Sequence, residues 1–170
     1  MQNTDTGSMA DTGTHKHVQA LGPCAPKDVD EALEQAEKVA SQRGQKMTRI
    51  RRKVLRLLLE SPEPAKAYDL LDKLDGEGSA KPPTIYRALD FLQDAGLAHK
   101  IESLNAYVAC GHMNHNHSAI FLICDTCGGA EELHGAATRE AVHAESKAAD
   151  FELKRTIVEA RGTCRKCLAT

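Results

Sequence analysis

Two Cys-x-x-Cys pairs, Cys124-Asp-Thr-Cys127 and Cys164-Arg-Lys-Cys167, are separated by 36 residues. Each pair can present two thiolates to one ion, and two pairs complete a tetrahedron, the all-thiolate set of a structural zinc. Such a site ties the end of the chain to its middle, whatever lies between. Gly128-Gly129 after the first pair and Gly162 before the second suit the turns it needs. A redox dithiol of the thioredoxin kind is the competing reading. Two pairs, and no thioredoxin-like strand–helix–strand context, weigh against it.

The compartment bears on the same choice. The first thirty residues are polar, with Asp5, Asp11, Asp28 and Asp30, and lack the apolar centre of a signal peptide. Apolar runs such as Ala119 to Cys124 are too short to span a membrane. The expectation is a cytoplasmic protein with no membrane association. Six cysteines in a reducing compartment point to metal rather than to a disulfide framework.

The stretch YVACGHMNHNHSAIFLICDTC (107–127) holds further ligand types: Cys110, His112, His115 and His117. His99 precedes it, and Glu131 and Glu132 follow. One thiolate, two imidazoles and a carboxylate would make a mixed four-coordinate site that favours zinc over iron. Each member also has a plainer reading. Cys110 can be a small buried residue, His99 can sit on a solvated strand, and His112 and His115 can be loop histidines. Spacing alone leaves a second site open.

At 170 residues the chain is one medium domain or two small ones. Residues 1–27 are rich in Thr, Asp, Gly and Pro and read as a disordered tail, with His15, His17 and Cys24 as incidental passengers. Val29, Leu33, Ala36, Val39 and Ala40 then recur at helical spacing, with Gly44 as a stop. Thr48 can cap a second helix with an apolar face of Ile50, Val54, Leu57 and Leu58, ended by Pro62 and Pro64. AYDLLDKL (67–74) makes a third. A fourth, 84–95, starts after an extended Pro82, with Pro83 suited to its first turn. It buries Ile85, Ala88, Leu89 and Leu92, presents Thr84, Tyr86, Arg87 and Asp90, and closes at Gly96. LAHKIE and AYVAC around SLN read as a β-hairpin. The remainder reads β–β–α–β: SAIFLIC, a short strand near 130–133, a helix over about 136–149, and a strand in FELKRTIVEARG.

Three or four helices followed by a hairpin form the order of a winged helix-turn-helix, whose second helix enters the DNA major groove. The fold class is therefore α+β: residues 28–110 as a winged-helix domain with a hinge, and 111–170 as a small α/β domain completed by a partner chain. Charge agrees. The net is −2, but residues 43–100 carry 12 basic and 8 acidic side chains, and 43–56 hold seven basic residues and no acid. That run, Arg49 and Arg52 included, suits phosphate contact. Thr84 is placed to reach phosphate, and Tyr86 and Arg87 phosphate or bases, Arg offering a bidentate fork to guanine.

AYDLLDKL, KPPTIYRALDFLQDAGLAHKIES, NAYVAC, HSAIFLICDTCG, the Glu131-Glu132 pair and IVEARGTCRKC together resemble the ferric-uptake-regulator family, and its zinc-uptake members in particular. The resemblance covers about 32–167. It implies a homodimeric, metal-responsive transcriptional regulator that is not an enzyme, with an N-terminal winged helix and a C-terminal dimerisation domain. It implies a structural zinc on Cys124, Cys127, Cys164 and Cys167, and a regulatory zinc on His99, Cys110, His117 and Glu132, two zinc ions per chain. It adds Tyr68 as a further DNA contact, and implies a pseudo-palindromic operator in double-stranded DNA and repression of zinc-uptake genes when zinc is bound. An iron- or peroxide-responsive regulator of the same family is the alternative, which a thiolate at Cys110 disfavours; a zinc enzyme is a remote one. The chain departs from the family's iron sensors in having the sparse HMNHNH, which puts a third site using His112, His115 or His134 in doubt.

Overall fold

A computed structural model describes residues 28–74, 81–111, 119–133, 135–154 and 156–169. The proposed tail at 1–27 lies outside the described residues, as do His112, His115, His117 and His134. The element order is α1 (Val29–Gln42), α2 (Arg49–Glu60), α3 (Ala67–Leu74), α4 (Pro82–Asp94), β1 (Ala98–Ile101), β2 (Ala106–Ala109), β3 (Ala119–Cys124), β4 (Ala130–Leu133), α5 (Ala136–Ala148), β5 (Ile157–Gly162) and α6 (Arg165–Leu168).

Local chemistry sets the helix ends. Asp28 caps α1, its carboxylate accepting from the Asp30 N–H at 2.8 Å and the Glu31 N–H at 3.4 Å. Thr48 Oγ1 accepts from the Arg51 N–H at the start of α2. Pro82 and Pro83 fill the first two positions of α4, and Lys81 before them is extended. The helix thus begins two residues earlier than the sequence suggested, because Pro82 and Pro83 both tolerate a first turn that needs no N–H. It ends where Gly96 takes φ +68°. The Leu97 N–H reaches Leu92 O at 2.7 Å and the Gly96 N–H reaches Gln93 O at 2.9 Å, a Schellman stop that turns the chain into β1.

Leu33, Leu55, Leu58, Leu70, Ile85, Leu89 and Leu92 form the centre of one hydrophobic core beneath α1–α4. Helix α2 buries Val54, Leu55, Leu58 and Leu59, while Ile50 is 40% exposed. The expected face of Ile50, Val54, Leu57 and Leu58 is therefore rotated, with Leu57 only partly buried. Five of the six residues from 54 to 59 are Val or Leu, so the pattern does not determine the phase; packing against α1 and α4 does.

β1 and β2 pair antiparallel, with Ala98 opposite Ala109, His99 opposite Val108 and Ile101 opposite Ala106. A 3-10 turn, Glu102–Leu104, joins them through Asn105 in the left-handed region. Alternation gives this hairpin two apolar faces. Ala98, Tyr107 and Ala109 enter the helical core, and Ile101 and Val108 join Ala119, Phe121, Ile123 and Ala130 in a second core. That second core rests on a sheet of order β4-β3-β5, with β4 antiparallel and β5 parallel to β3. The hairpin is thus the shared wall of both cores. The β–β–α–β order expected from sequence is present. The short helix α6 is an addition not expected from the sequence: β5 ends at Gly162 and the chain turns at Cys164.

Candidate metal centres and DNA-facing surface

Parallel pairing brings Cys124, the last residue of β3, opposite Gly162 near the second cysteine pair. Cys127 follows in the turn after β3, Cys164 stands at the N-cap of α6, and Cys167 lies within it. The four sulfurs lie within 4.8 Å of one another, Cys127 Sγ and Cys164 Sγ being 4.0 Å apart. Tetrahedral zinc thiolate geometry asks for sulfurs roughly 3.8 Å apart. The expected four-cysteine set therefore converges. Its protonation chemistry fits a cation too. The Cys164 N–H donates to Cys124 Sγ at 3.3 Å and, with the Cys127 N–H, pulls that thiol down to about 6. Cys167 is pushed up to about 12, chiefly by hydrogen bonding to the Cys164 sulfur. Thiols this crowded cannot all ionise unless a cation takes the place of their protons. Asp125 braces the turn by pairing with Arg161 of β5.

A second cluster forms where the hairpin meets the sheet. His99 lies opposite Val108, and Cys110 follows Val108 by two residues, so both take the hairpin face that looks toward the second core. Glu132 lies opposite Phe121, whose side chain is buried in that core, whereas Glu131 lies opposite Leu122, which is exposed. Strand alternation thus separates two adjacent glutamates and turns Glu132 inward. One ligand atom from each of His99, Cys110 and Glu132 lies within 4.8 Å of the other two. His99 is 6% exposed, Cys110 1%, and the Glu132 side chain 2%. Glu132 Oε1 is 3.5 Å from His99 Nε2. Its Oε2 accepts the Gly111 N–H at 3.3 Å, which orients the carboxylate. The His99 ring meets Phe121 edge to face at 5.7 Å. A buried carboxylate beside an imidazole and a thiol is a costly grouping in an apolar wall, and a donor set of the N, O and S types that zinc accepts.

A third carboxylate, not singled out from the sequence, sits on the same row of the sheet. Glu159 of β5 lies opposite Phe121 from the other side. It accepts the Glu102 N–H at 2.7 Å and the Ser103 N–H at 3.1 Å. Burial pushes its carboxyl up, but these bonds, the Ser103 hydroxyl and Arg161 outweigh it and hold it below the usual carboxylate range. A lone Glu on a strand carries no pattern that would mark it.

On the helical unit, Tyr86 and Arg87 are exposed on α4, Thr84 is half-buried at its start, and Tyr68 is 62% exposed on α3. The basic run is more engaged than its composition suggested. Arg51 stacks 3.6 Å over the Phe91 ring and donates to Lys46 O, Arg52 pairs with Glu37 at 2.6 Å, and Arg56 pairs with Asp30 and Glu60. Arg43 donates to Asp94 O. Arg49 is exposed at the start of α2. Among the described residues, no helix is long and apolar enough to cross a membrane.

The zinc uptake regulation protein of Escherichia coli (strain K12) is 41% identical over 140 residues, covering 81% of this chain and 82% of that one. Among solved structures, a zinc uptake regulator complexed with zinc and DNA superposes with a TM-score of 0.80 at 40% identity, covering 85% of this chain and 97% of the other. Holo XcZur superposes with a TM-score of 0.77 at 44% identity, covering 83% and 99%. The ferric uptake regulator family model matches residues 42–161. With that match running from the end of α1 into β5, and so over most of the described fold, this chain belongs to the ferric uptake regulator family.

Proposed function

We propose that this protein is a zinc-responsive, DNA-binding transcriptional regulator that represses zinc-uptake genes when zinc is bound. The observation that carries the reading is the convergence of His99 and Cys110, from the hairpin, with Glu132, from the second sheet. Two of these ligands are carried by the hairpin that packs into the α1–α4 core, and one by β4. The likeness to a zinc uptake regulator complexed with zinc and DNA supports both ligands, metal and nucleic acid.

When bound, a zinc ion would supply a four-coordinate link between the two units, held by His99, Cys110, Glu132 and, as fourth ligand, His117. The chain's own residues do the rest. Gly111 aims the Glu132 carboxylate, and Phe121 limits the rotation of the His99 ring. Cys110 contributes the soft donor that selects against iron and manganese. Because the hairpin packs into the helical core through Ala98, Tyr107 and Ala109, its orientation is transmitted to α4. In a homodimer, residues 111–170 would join two copies, and residues 28–110 of each would read one half-site of a pseudo-palindromic operator. Tyr68, Thr84, Tyr86, Arg87 and Arg49 form the proposed DNA surface. Arg52 joins it only if its pair with Glu37 opens. Cys124, Cys127, Cys164 and Cys167 would hold a second, structural zinc that pins β5 beside β3, giving two zinc ions per chain.

A coupling of this kind works only through differential affinity: the four ligands must meet better in the DNA-competent arrangement than in any other. Such a filled set leaves no open coordination position for catalysis, so no enzymatic role is assigned. The protein would act in the cytoplasm. Chromatin-style pull-down of bound genomic fragments at high and low free zinc, followed by binding to the recovered sequences, tests the function. Recovery of the same fragments irrespective of zinc would contradict it.

A further inference from the structure

We propose that Glu159 is a positioning residue for the metal-controlled arrangement, a clamp that holds the hairpin turn against the second sheet while the ligands hold its other end. The inference rests on the proposed zinc-responsive reading and adds to it a contact that involves no metal ligand.

Glu132, Phe121 and Glu159 occupy one lateral row across β4, β3 and β5. All three face the hairpin. Glu132 reaches its open end, at His99 and Cys110. Phe121 packs with Ile101 and Val108 in the middle. Glu159 reaches the turn, at Glu102 and Ser103. The turn needs such a partner. Its first N–H groups belong to a 3-10 helix whose N-cap is Ile101, and no side chain of the turn caps it. Helix-start N–H groups without a local cap favour an external anion. Glu159 supplies that cap from 56 and 57 residues away, as a carboxylate accepting two backbone N–H bonds.

Two attachments define the orientation of a two-stranded ribbon where one would leave a pivot. With the clamp in place, His99 and Cys110 are brought before Glu132 without metal having to supply the whole ordering cost. Losing the clamp should therefore weaken zinc at the mixed site and weaken zinc-dependent DNA binding, while leaving the four-cysteine site and the dimer intact.

The test is zinc competition against a chromophoric chelator, run on full-length wild type, Glu159→Ala and Glu159→Gln. The expected result is unchanged tight binding of one zinc and about tenfold weaker binding of the second in Glu159→Ala, the scale of one or two charge-assisted bonds. Glu159→Gln, which keeps one acceptor oxygen, should fall between; it also stands in if the alanine variant does not fold. Operator affinity supplies a cycle with Cys110→Ala. The clamp predicts that Glu159→Ala costs binding in the wild-type background and little further in the Cys110→Ala background. An unchanged second zinc affinity in both variants, or an equal loss of DNA binding in both backgrounds, overturns the proposal. If wild type binds two zinc ions but shows no zinc-dependent DNA binding, the functional reading fails while the chelator competition still decides the clamp.

Discussion

His99 Nε2 lies 3.5 Å from Oε1 of Glu132, and the two residues belong to different sheets. His99 is carried by a hairpin whose far face is part of the helical core, and Glu132 by an edge strand of the second sheet. Any ligand that joins them joins the two cores.

Removing Cys110 should remove one metal and no fold. Purified protein should hold two zinc ions per chain, in line with the two ligand clusters, and Cys110→Ala should hold one that resists mild chelation. Elemental analysis with circular dichroism checks both. A count of one in wild type, unchanged by the substitution, would contradict the mixed site. Cys164→Ser should behave differently. If the four cysteines hold the proposed structural zinc, this variant should lose it and the second sheet should melt early, since structural zinc contributes directly to folding.

The face of α2 can be tested by stability. Leu55 is fully buried and Ile50 is 40% exposed. Leu55→Ala should cost about 2–4 kcal/mol, and Ile50→Ala about 1 kcal/mol or less. Urea denaturation of the two variants distinguishes this face from one formed by Ile50, Val54, Leu57 and Leu58.

Much of this architecture was legible in the sequence, and the misses have definite causes. The cysteine pairs announced their site because two C-x-x-C turns have few other uses, and the hairpin because two short strand-like runs, LAHKIE and AYVAC, flank the turn residues SLN. Helix α2 misled because Val54, Leu55, Leu57, Leu58 and Leu59 leave its phase undetermined. The basic run overstated the free charge, since Arg51, Arg52 and Arg56 meet Phe91, Glu37 and Asp30, partners distant enough that only tertiary packing reveals them. The choice of Glu132 over its neighbour came from family likeness; the register opposite Phe121 supplies the physical reason. Glu159 was invisible, because its partners are backbone N–H groups 56 and 57 residues away.

Acid should release the Glu159 clamp before the helical core fails. Its folded-state pKa lies below the usual 4.5, so its stabilising contribution is complete above that value and is lost as pH falls through the lower folded value. Arg161 on its own strand favours the charged form, and Glu102 in the turn, which donates its backbone N–H, has its own carboxylate paired with Lys100. The stability difference between wild type and Glu159→Gln should hold steady above about pH 5 and narrow below it. A difference that stays constant or grows on acidification would count against the carboxylate.

Arg51 and Arg87 should separate stability from recognition. Arg51→Ala removes the stack on Phe91 and the bond to Lys46 O, and should cost about 1–2 kcal/mol of stability. Arg87→Ala should leave the melting curve unchanged and weaken operator binding by roughly tenfold or more, the scale of one bidentate base contact. Equal effects of both on DNA affinity, after correction for folding, would place Arg51 on the DNA surface instead.

The cluster of His99, Cys110 and Glu132 is proposed to govern DNA binding through zinc. The most direct test is operator binding by fluorescence anisotropy, titrated against buffered free zinc, for wild type and Cys110→Ala. Wild type should show a zinc-dependent rise in affinity, and a folded, dimeric Cys110→Ala a flat, weak response. Full operator affinity of that variant in the presence of chelator would contradict this role.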